Sequence, residues 1–330
     1  MFSVVLKKLK DTLYSKSKGG AAIQNIFIRT FSAPERLDMT SLAWVGHIPF
    51  AYYLVAIMKP RKVVELGSFK GNSLSAFCQS VEENKLDSKV VGVDAWEGDL
   101  HMGTFPEEYY LELKDFMDNH YPNFASLKKC YFDDAVTSFP DGSIDLLHID
   151  GLHTYEAVKN DFETWLPKLS DKAVVLFHDT TVVKKDFGVI KYWSEISTMY
   201  PSFNFDFSHG LGVLAVGKNI SEDVRVFIDV ATKRPAAINN LFYGLAQDIL
   251  PEKAFAFVEK LRANEEFKCG RQVTHQDINN IRDVALSLEK TNIKHAALLM
   301  ELAHKLRPNG ILIKKKHFEY QENLKSKIAK

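Results

Sequence analysis

Four residues near the middle of this 330-residue chain carry side chains suited to acid–base or metal chemistry: Asp150, His153, His178 and Asp179. Asp150 ends the strand-like run that starts at Ile144, and Asp179 ends the run that starts at Ala173. If both runs are neighbouring strands, the two carboxylates meet at one edge of a sheet. His153 follows Asp150 by three residues, just ahead of a helical stretch. An imidazole titrates near neutrality and can take a proton from a hydroxyl. His153 is therefore the candidate general base, with Asp150 and Asp179 organising the site. Its plainer role is hydrogen bonding where the chain enters the helix.

A second constellation lies upstream, in Val63-Val64-Glu65-Leu66-Gly67-Ser68-Phe69-Lys70-Gly71-Asn72-Ser73. It reads as a strand, a tight glycine turn and a helix, the unit that holds a nucleotide-like cofactor in a doubly wound sheet. The spacing G-x-x-x-G is not the G-x-G-x-x-G dinucleotide fingerprint. Glu65 would repel a pyrophosphate but suits a cofactor that carries an ammonium and a sulfonium. Gly67 and Gly71 let the backbone approach such a ligand closely. Asp94, closing the next strand, is placed to accept from two ribose hydroxyls. Asp133 is expected beside the base, while Asp134 can serve as a helix cap. Trp96 packs on the base, shapes the mouth or belongs to the core. The plain alternative for the turn is any parallel α/β protein with glycine after its first strand.

The elements that position these groups alternate. Strands are expected at Val63–Leu66, Lys89–Asp94, Leu127–Phe132, Ile144–Asp150 and Ala173–Asp179. Phe203–Phe207 and Leu211–Val216 form a closing hairpin across His209-Gly210. Helices are expected at Asn72–Val81, Glu107–Asn119, Ala135–Phe139, Tyr155–Leu166 and Phe187–Met199, with an earlier one from Pro49 to Met58 stopped by Lys59-Pro60. This alternation predicts an α/β fold, a doubly wound sheet with helices on both faces. The loop 95–106 is long enough to be a lid or specificity element.

The segment Glu65 to Ser73 resembles motif I of class I S-adenosylmethionine (SAM) dependent methyltransferases, most of all the catechol-type O-methyltransferases. The longer stretch Trp44 to Gly217 resembles methyltransferase domains found in or beside bacterial polysaccharide glycosyltransferases. Trp44-Val45-Gly46-His47-Ile48-Pro49-Phe50-Ala51, Asp141 to Tyr155, and Phe177-His178-Asp179-Thr180 carry that likeness. The resemblance implies a seven-stranded, mostly parallel Rossmann-like sheet with an antiparallel last strand. It implies SAM held by Glu65, Gly67, Ser68, Gly71, Asn72, Ser73, Asp94, Trp96, Asp133 and Asp150. It also implies a divalent metal held by Asp150, His178 and Asp179. His178 stands where oxygen ligands are commoner, and a histidine shifts preference from magnesium toward manganese, iron or zinc. A metal and a histidine base remain alternative activators. The expected reaction is O-methylation of a sugar or glycan hydroxyl.

Around this domain, expected over residues 41–218, lie two flanks. Residues 1–40 hold a basic amphipathic helix, with Phe2, Val5, Leu6, Leu9 and Leu13 on one face, and a glycine linker. That face is expected against protein, or else on a membrane surface. Residues 219–330 are expected to be all helical, with Ala296 to Tyr320 similar to one tetratricopeptide-type hairpin. These helices dock a partner such as a glycosyltransferase, or a second copy. Lys and Arg balance Asp and Glu at 42 each, so no global field recruits nucleic acid. Three scattered cysteines suggest a reducing compartment. With no signal peptide or membrane span expected, the reading is cytoplasmic, free or peripheral to the inner membrane face. Two rivals stand: an NAD(P)-dependent oxidoreductase, opposed by Glu65, and a catalytically silent scaffold.

Overall fold

The computed structural model describes residues 34–38, 43–246, 249, 278–279, 282–283, 285–286, 289 and 293–328. The amphipathic helix expected over residues 2–14, the Gly19-Gly20 linker and the helix expected over 251–263 lie outside the described residues.

A seven-stranded sheet runs in the order β5-β2-β1-β6-β7-β9-β8. The strands are β1 Lys62–Leu66, β2 Lys89–Asp94, β5 Ala125–Lys129, β6 Ile144–Ile149, β7 Leu169–His178, β8 Ser202–Phe205 and β9 Leu211–Ala215. The first five pair in parallel, and β9 lies antiparallel between β7 and β8. From β1 the chain steps outward to β2 and β5, then returns to place β6 on the other side. The switch point therefore falls between β1 and β6, where such sheets open a crevice at the strand ends.

Alternation within the strands builds two cores. Val63, Leu146, Val174 and Val213 face one layer, and Val64, Leu147, Val175 and Leu214 the other. The first layer is covered by α1 Ile48–Met58, α2 Asn72–Glu83 and α3 Glu107–His120. The second is covered by α4 Phe132–Ala135, α5 Tyr155–Trp165 and α6 Val189–Ile196. Pro49 lies in the first turn of α1, and Lys59 ends that helix in the left-handed conformation at φ 49°. Thr154 caps α5 through its side-chain oxygen, which accepts from the Ala157 N–H.

Three expectations need correction. The third strand ends at Lys129, and Phe132 begins a helix; Asp133 and Asp134 sit in its first turn, where carboxylates suit the helix dipole. The loop after Asp94 is not structureless: Gly98–Asp99 and Gly103–Thr104 pair as a small hairpin, β3–β4. The boundary at residue 218 does not divide two cores. Helix α7, Glu222–Lys233, buries Val224, Phe227, Ile228 and Ala231 in the same cluster as α1, and Ile238 and Phe242 join it. The Phe227 ring lies 5.3 Å from Phe50 and 5.4 Å from Tyr53. Further on, Ile293–Leu306 and Ile311–Ile328 form a helical hairpin across Pro308, as expected. Among the described residues, no helix is long and apolar enough to cross a membrane.

Candidate active site

The carboxyl ends of β1, β2, β6 and β7 bring both constellations to one edge. Gly67 and Gly71 adopt positive φ (92° and 81°), closing the turn between β1 and α2. A Cβ on Gly67 would stand 2.0 Å from the Asp150 carbonyl oxygen, so only glycine fits between the turn and the end of β6. Asp94 holds the turn in place. One of its oxygens accepts from the Phe69 N–H at 2.9 Å, the other from the Trp96 N–H at 2.7 Å. Burial raises the Asp94 pKa, and these two backbone donors oppose the rise.

Two expected cofactor residues have structural work in this arrangement. The Trp96 indole is buried, donates to the Phe69 carbonyl at 2.8 Å and packs on Tyr110. It therefore supports the turn from the core. The Asn72 side chain clamps a preceding strap of chain: its oxygen accepts from the Asp38 N–H and its amide donates to the Asp38 carbonyl. Ser68 and Ser73 are buried beside the turn. Asp133 is exposed and accepts from Asn160 at 3.1 Å.

Beneath the turn lies a polar chain in an apolar layer. Glu65 and His148 are register partners on β1 and β6. His148 Nδ1 lies 2.9 Å from Glu65 Oε2, and the Trp44 indole donates to His148 Nε2 at 3.1 Å. Glu65 and His148 are wholly buried, and Glu65 Oε1 has no hydrogen-bond partner.

The reactive edge is a network of carboxylates and imidazoles. His153 Nε2 donates to Asp179 Oδ2 at 2.8 Å and lies 3.7 Å from Asp150 Oδ1. Its ring stacks on Phe187, centroids 4.7 Å apart and nearly parallel, and His101 from the β3–β4 hairpin packs on the same pair. His178 uses both ring nitrogens. Nδ1 donates to Asp150 at 3.2 Å and Nε2 to the Ser208 carbonyl at 3.1 Å. Two donated bonds require both protons, so His178 is an imidazolium. Burial disfavours that charge, but the Asp150 and Asp179 charges prevail and push its pKa up to about 9. His47 donates to the same Ser208 carbonyl at 3.0 Å, and burial with the His178 charge keeps it neutral. His209 donates to Asp179 at 3.1 Å.

This geometry bears on two expectations. Burial works against charge on His153, but hydrogen bonds to Asp150 and Asp179 win and push its pKa up to about 10. With its proton in place His153 is a donor, not a free base. Asp150 and Asp179 are conversely held below the usual carboxylate range: burial opposes this, and His178 with the bonding histidines outweighs burial. The second concerns the metal ligands. His178 spends both ring nitrogens on Asp150 and the Ser208 carbonyl, whereas Asp150, His153 and Asp179 each present one ligand atom, all within 4.8 Å of one another, and His153 would release its proton to bind an ion. That is the group with metal-holding geometry among the described residues.

Sequence reading passed over Ser208, His209, Asp161 and the role of His148. A histidine inside the wholly buried strand β6 was the available signal for His148. Asp161 on α5 faces Gly151, and burial beside the Asp133 charge pushes its carboxyl up to about 7.

Residues 64–180 match a family described as a methyltransferase domain. The chain is 45% identical over 191 residues to protein y4gI of Sinorhizobium fredii, covering 58% of this chain and 21% of that protein. It is 31% identical over 121 residues to protein R132 of Acanthamoeba polyphaga mimivirus, covering 35% of this chain and 50% of that one. The chain thus spans half or less of these relatives' length. Among solved structures, the O-methyltransferase TomG from Streptomyces achromogenes, in complex with SAM, aligns at 14% identity and TM-score 0.40, covering 56% of this chain and 91% of that one. The O-methyltransferase from Bacillus cereus, in complex with S-adenosylhomocysteine, aligns at 14% identity and TM-score 0.40, covering 63% and 96%.

Proposed function

We propose that the chain is a class I SAM-dependent methyltransferase that methylates a hydroxyl of a sugar or glycan. The observation that carries this reading is the convergence of Glu65, Gly67, Asp94 and Asp150 at one end of β1, β2 and β6, inside the segment that matches a methyltransferase domain. A ligand with an ammonium, a ribose and a sulfonium suits this row of acids; a dinucleotide, with its pyrophosphate, does not. Gly67 supplies the close approach, Asp94 the ribose acceptor and Asp133 the neighbour of adenine.

The transfer itself is an in-line displacement. The acceptor oxygen bonds the methyl carbon while the carbon–sulfur bond breaks and its electron pair stays on sulfur. Positioning the three atoms in line supplies much of the acceleration. The hydroxyl proton leaves toward the edge where Asp150 and Asp179 are the unprotonated groups. Carboxylates this acidic are weak bases, which favours assistance by a cation. Asp150, His153 and Asp179 fit a divalent ion, and the one imidazole in the set suits manganese, iron or zinc better than magnesium. Such an ion, when bound, supplies positive charge that lowers the pKa of a hydroxyl. His101 and Phe187 cover His153 and shield the edge from water.

The glycan acceptor and a glycosyltransferase partner docked on the C-terminal helices rest on the likeness of Trp44 to Gly217 to polysaccharide-associated methyltransferases, and a cytoplasmic location rests on the three scattered cysteines. Calorimetry with SAM, S-adenosylhomocysteine and NADH tests the cofactor, and transfer of labelled methyl to a panel of sugars and glycans tests the acceptor. Tight NADH binding without a SAM signal overturns the reading.

A further inference from the structure

The chain Trp44–His148–Glu65 lies in the core, apart from the reactive edge, and its hydrogen bonding fixes proton positions. An indole N–H only donates, so His148 Nε2 accepts and carries no proton. A neutral imidazole then has its proton on Nδ1, which donates to Glu65 Oε2. Glu65 is left with one satisfied oxygen and one buried oxygen without a partner. A buried carboxylate atom in that condition is costly unless a donor reaches it. Phe77 packs against the other two members, with its ring 5.7 Å from Trp44 and 5.8 Å from His148. Glu65 stands at the end of β1, one residue before Leu66 and the glycine turn.

We propose that Trp44 and His148 are positioning residues that orient Glu65 so that Oε1 is reserved for the ammonium of the bound cofactor. The proposal rests on the SAM reading above. Trp44 fixes the imidazole tautomer, the tautomer fixes the bond to Oε2, and that bond turns Oε1 toward the amino-acid end of the ligand. The residues act through Glu65 and touch no reacting atom.

The test separates ligands with and without the ammonium. Calorimetry on the full chain uses SAM, S-adenosylhomocysteine and methylthioadenosine, which lacks the amino-acid group. Trp44→Phe and His148→Leu are expected to weaken the first two by roughly tenfold or more, the scale of one lost charge-assisted bond. Methylthioadenosine affinity should hold. His148→Asn, whose amide can replace the Nδ1 donor, should recover much of the loss. Equal weakening of all three ligands overturns the proposal, as does unchanged SAM affinity. Nitrogen-15 spectra of the wild type give an answer that does not depend on a variant folding: His148 should be the Nδ1-protonated tautomer, and the opposite tautomer overturns the chain. A wild type that binds methylthioadenosine no worse than SAM also overturns it. Failure of the wild type to bind any of the three removes the cofactor reading and this proposal together.

Discussion

Gly67 and Asp150 are in backbone contact across the switch point: a Cβ on Gly67 would meet the Asp150 carbonyl oxygen at 2.0 Å. The cofactor turn and the reactive edge are thus one rigid unit. Gly67→Ala is expected to abolish measurable SAM binding in calorimetry, because the added carbon strains a positive φ and pushes Asp150 away. An alanine variant with native affinity would show that the turn and β6 move independently.

Asp94 holds the turn through both carboxylate oxygens. Asp94→Ala leaves the Phe69 and Trp96 N–H groups without their acceptor and removes the proposed ribose partner. A loss of about 1–3 kcal/mol in stability is expected from urea unfolding. SAM affinity should fall as well. Loss of affinity with unchanged stability would mean the backbone bonds are replaced.

The ligand set can be decided with manganese alone. Asp150→Ala and His153→Ala are expected to abolish calorimetric manganese binding. His178→Asn alters a residue that steadies Asp150, and should cost roughly 10–100-fold in affinity. The reverse ranking, with His178 indispensable and His153 dispensable, would restore the ligand set expected from sequence.

Asp161 should shape the pH dependence of stability. Its folded pKa, about 7, lies above the ordinary carboxylate value. The native state therefore keeps a proton that the unfolded chain releases. The resulting stability is complete below the unfolded value and is lost as pH rises through about 7. Asp161→Asn is expected to melt a few degrees higher than the wild type at pH 8. Near pH 4 the two should coincide, and parallel melting curves across this range would count against a buried neutral carboxyl.

Helix α7 belongs to the main core. A chain ending near Ile220 is expected to lose cooperative thermal unfolding, since it uncovers Phe50, Tyr53 and Phe203. Phe227→Ala should cost about 3–5 kcal/mol in urea denaturation. A soluble, cooperatively folding truncation would place the boundary where the composition alone puts it.

Much of the fold was legible because its signals are local. Strand β7 carries the continuous apolar run from Ala173 to Phe177, and Gly67 and Gly71 mark a turn that only positive φ can close. Asp150 and Asp179 were legible as strand-end acids. The proton states of His153 and His178 were not, because they depend on which carboxylates and carbonyls the fold sets beside each ring. Ser208 contributes a main-chain oxygen, and no residue type advertises that. The boundary at 218 was misplaced because α7 reads as an ordinary amphipathic helix, and its spacing does not say what its apolar face meets.

The Ser208 carbonyl accepts from both His47 and His178, and His209 reaches Asp179. All three bonds come from the bend joining β8 to β9, and β8 pairs in the sheet with β9 alone. In the order of synthesis, a nascent chain has its glycine turn, Asp94 and Asp150 long before this bend exists. Until the hairpin docks on β7, His178 lacks the oxygen for one of its two protons and Asp179 lacks one of its donors. The residues of the glycine turn are thus synthesised before those that complete the reactive edge, and the last hairpin supplies that edge with an acceptor for His178 and a donor for Asp179.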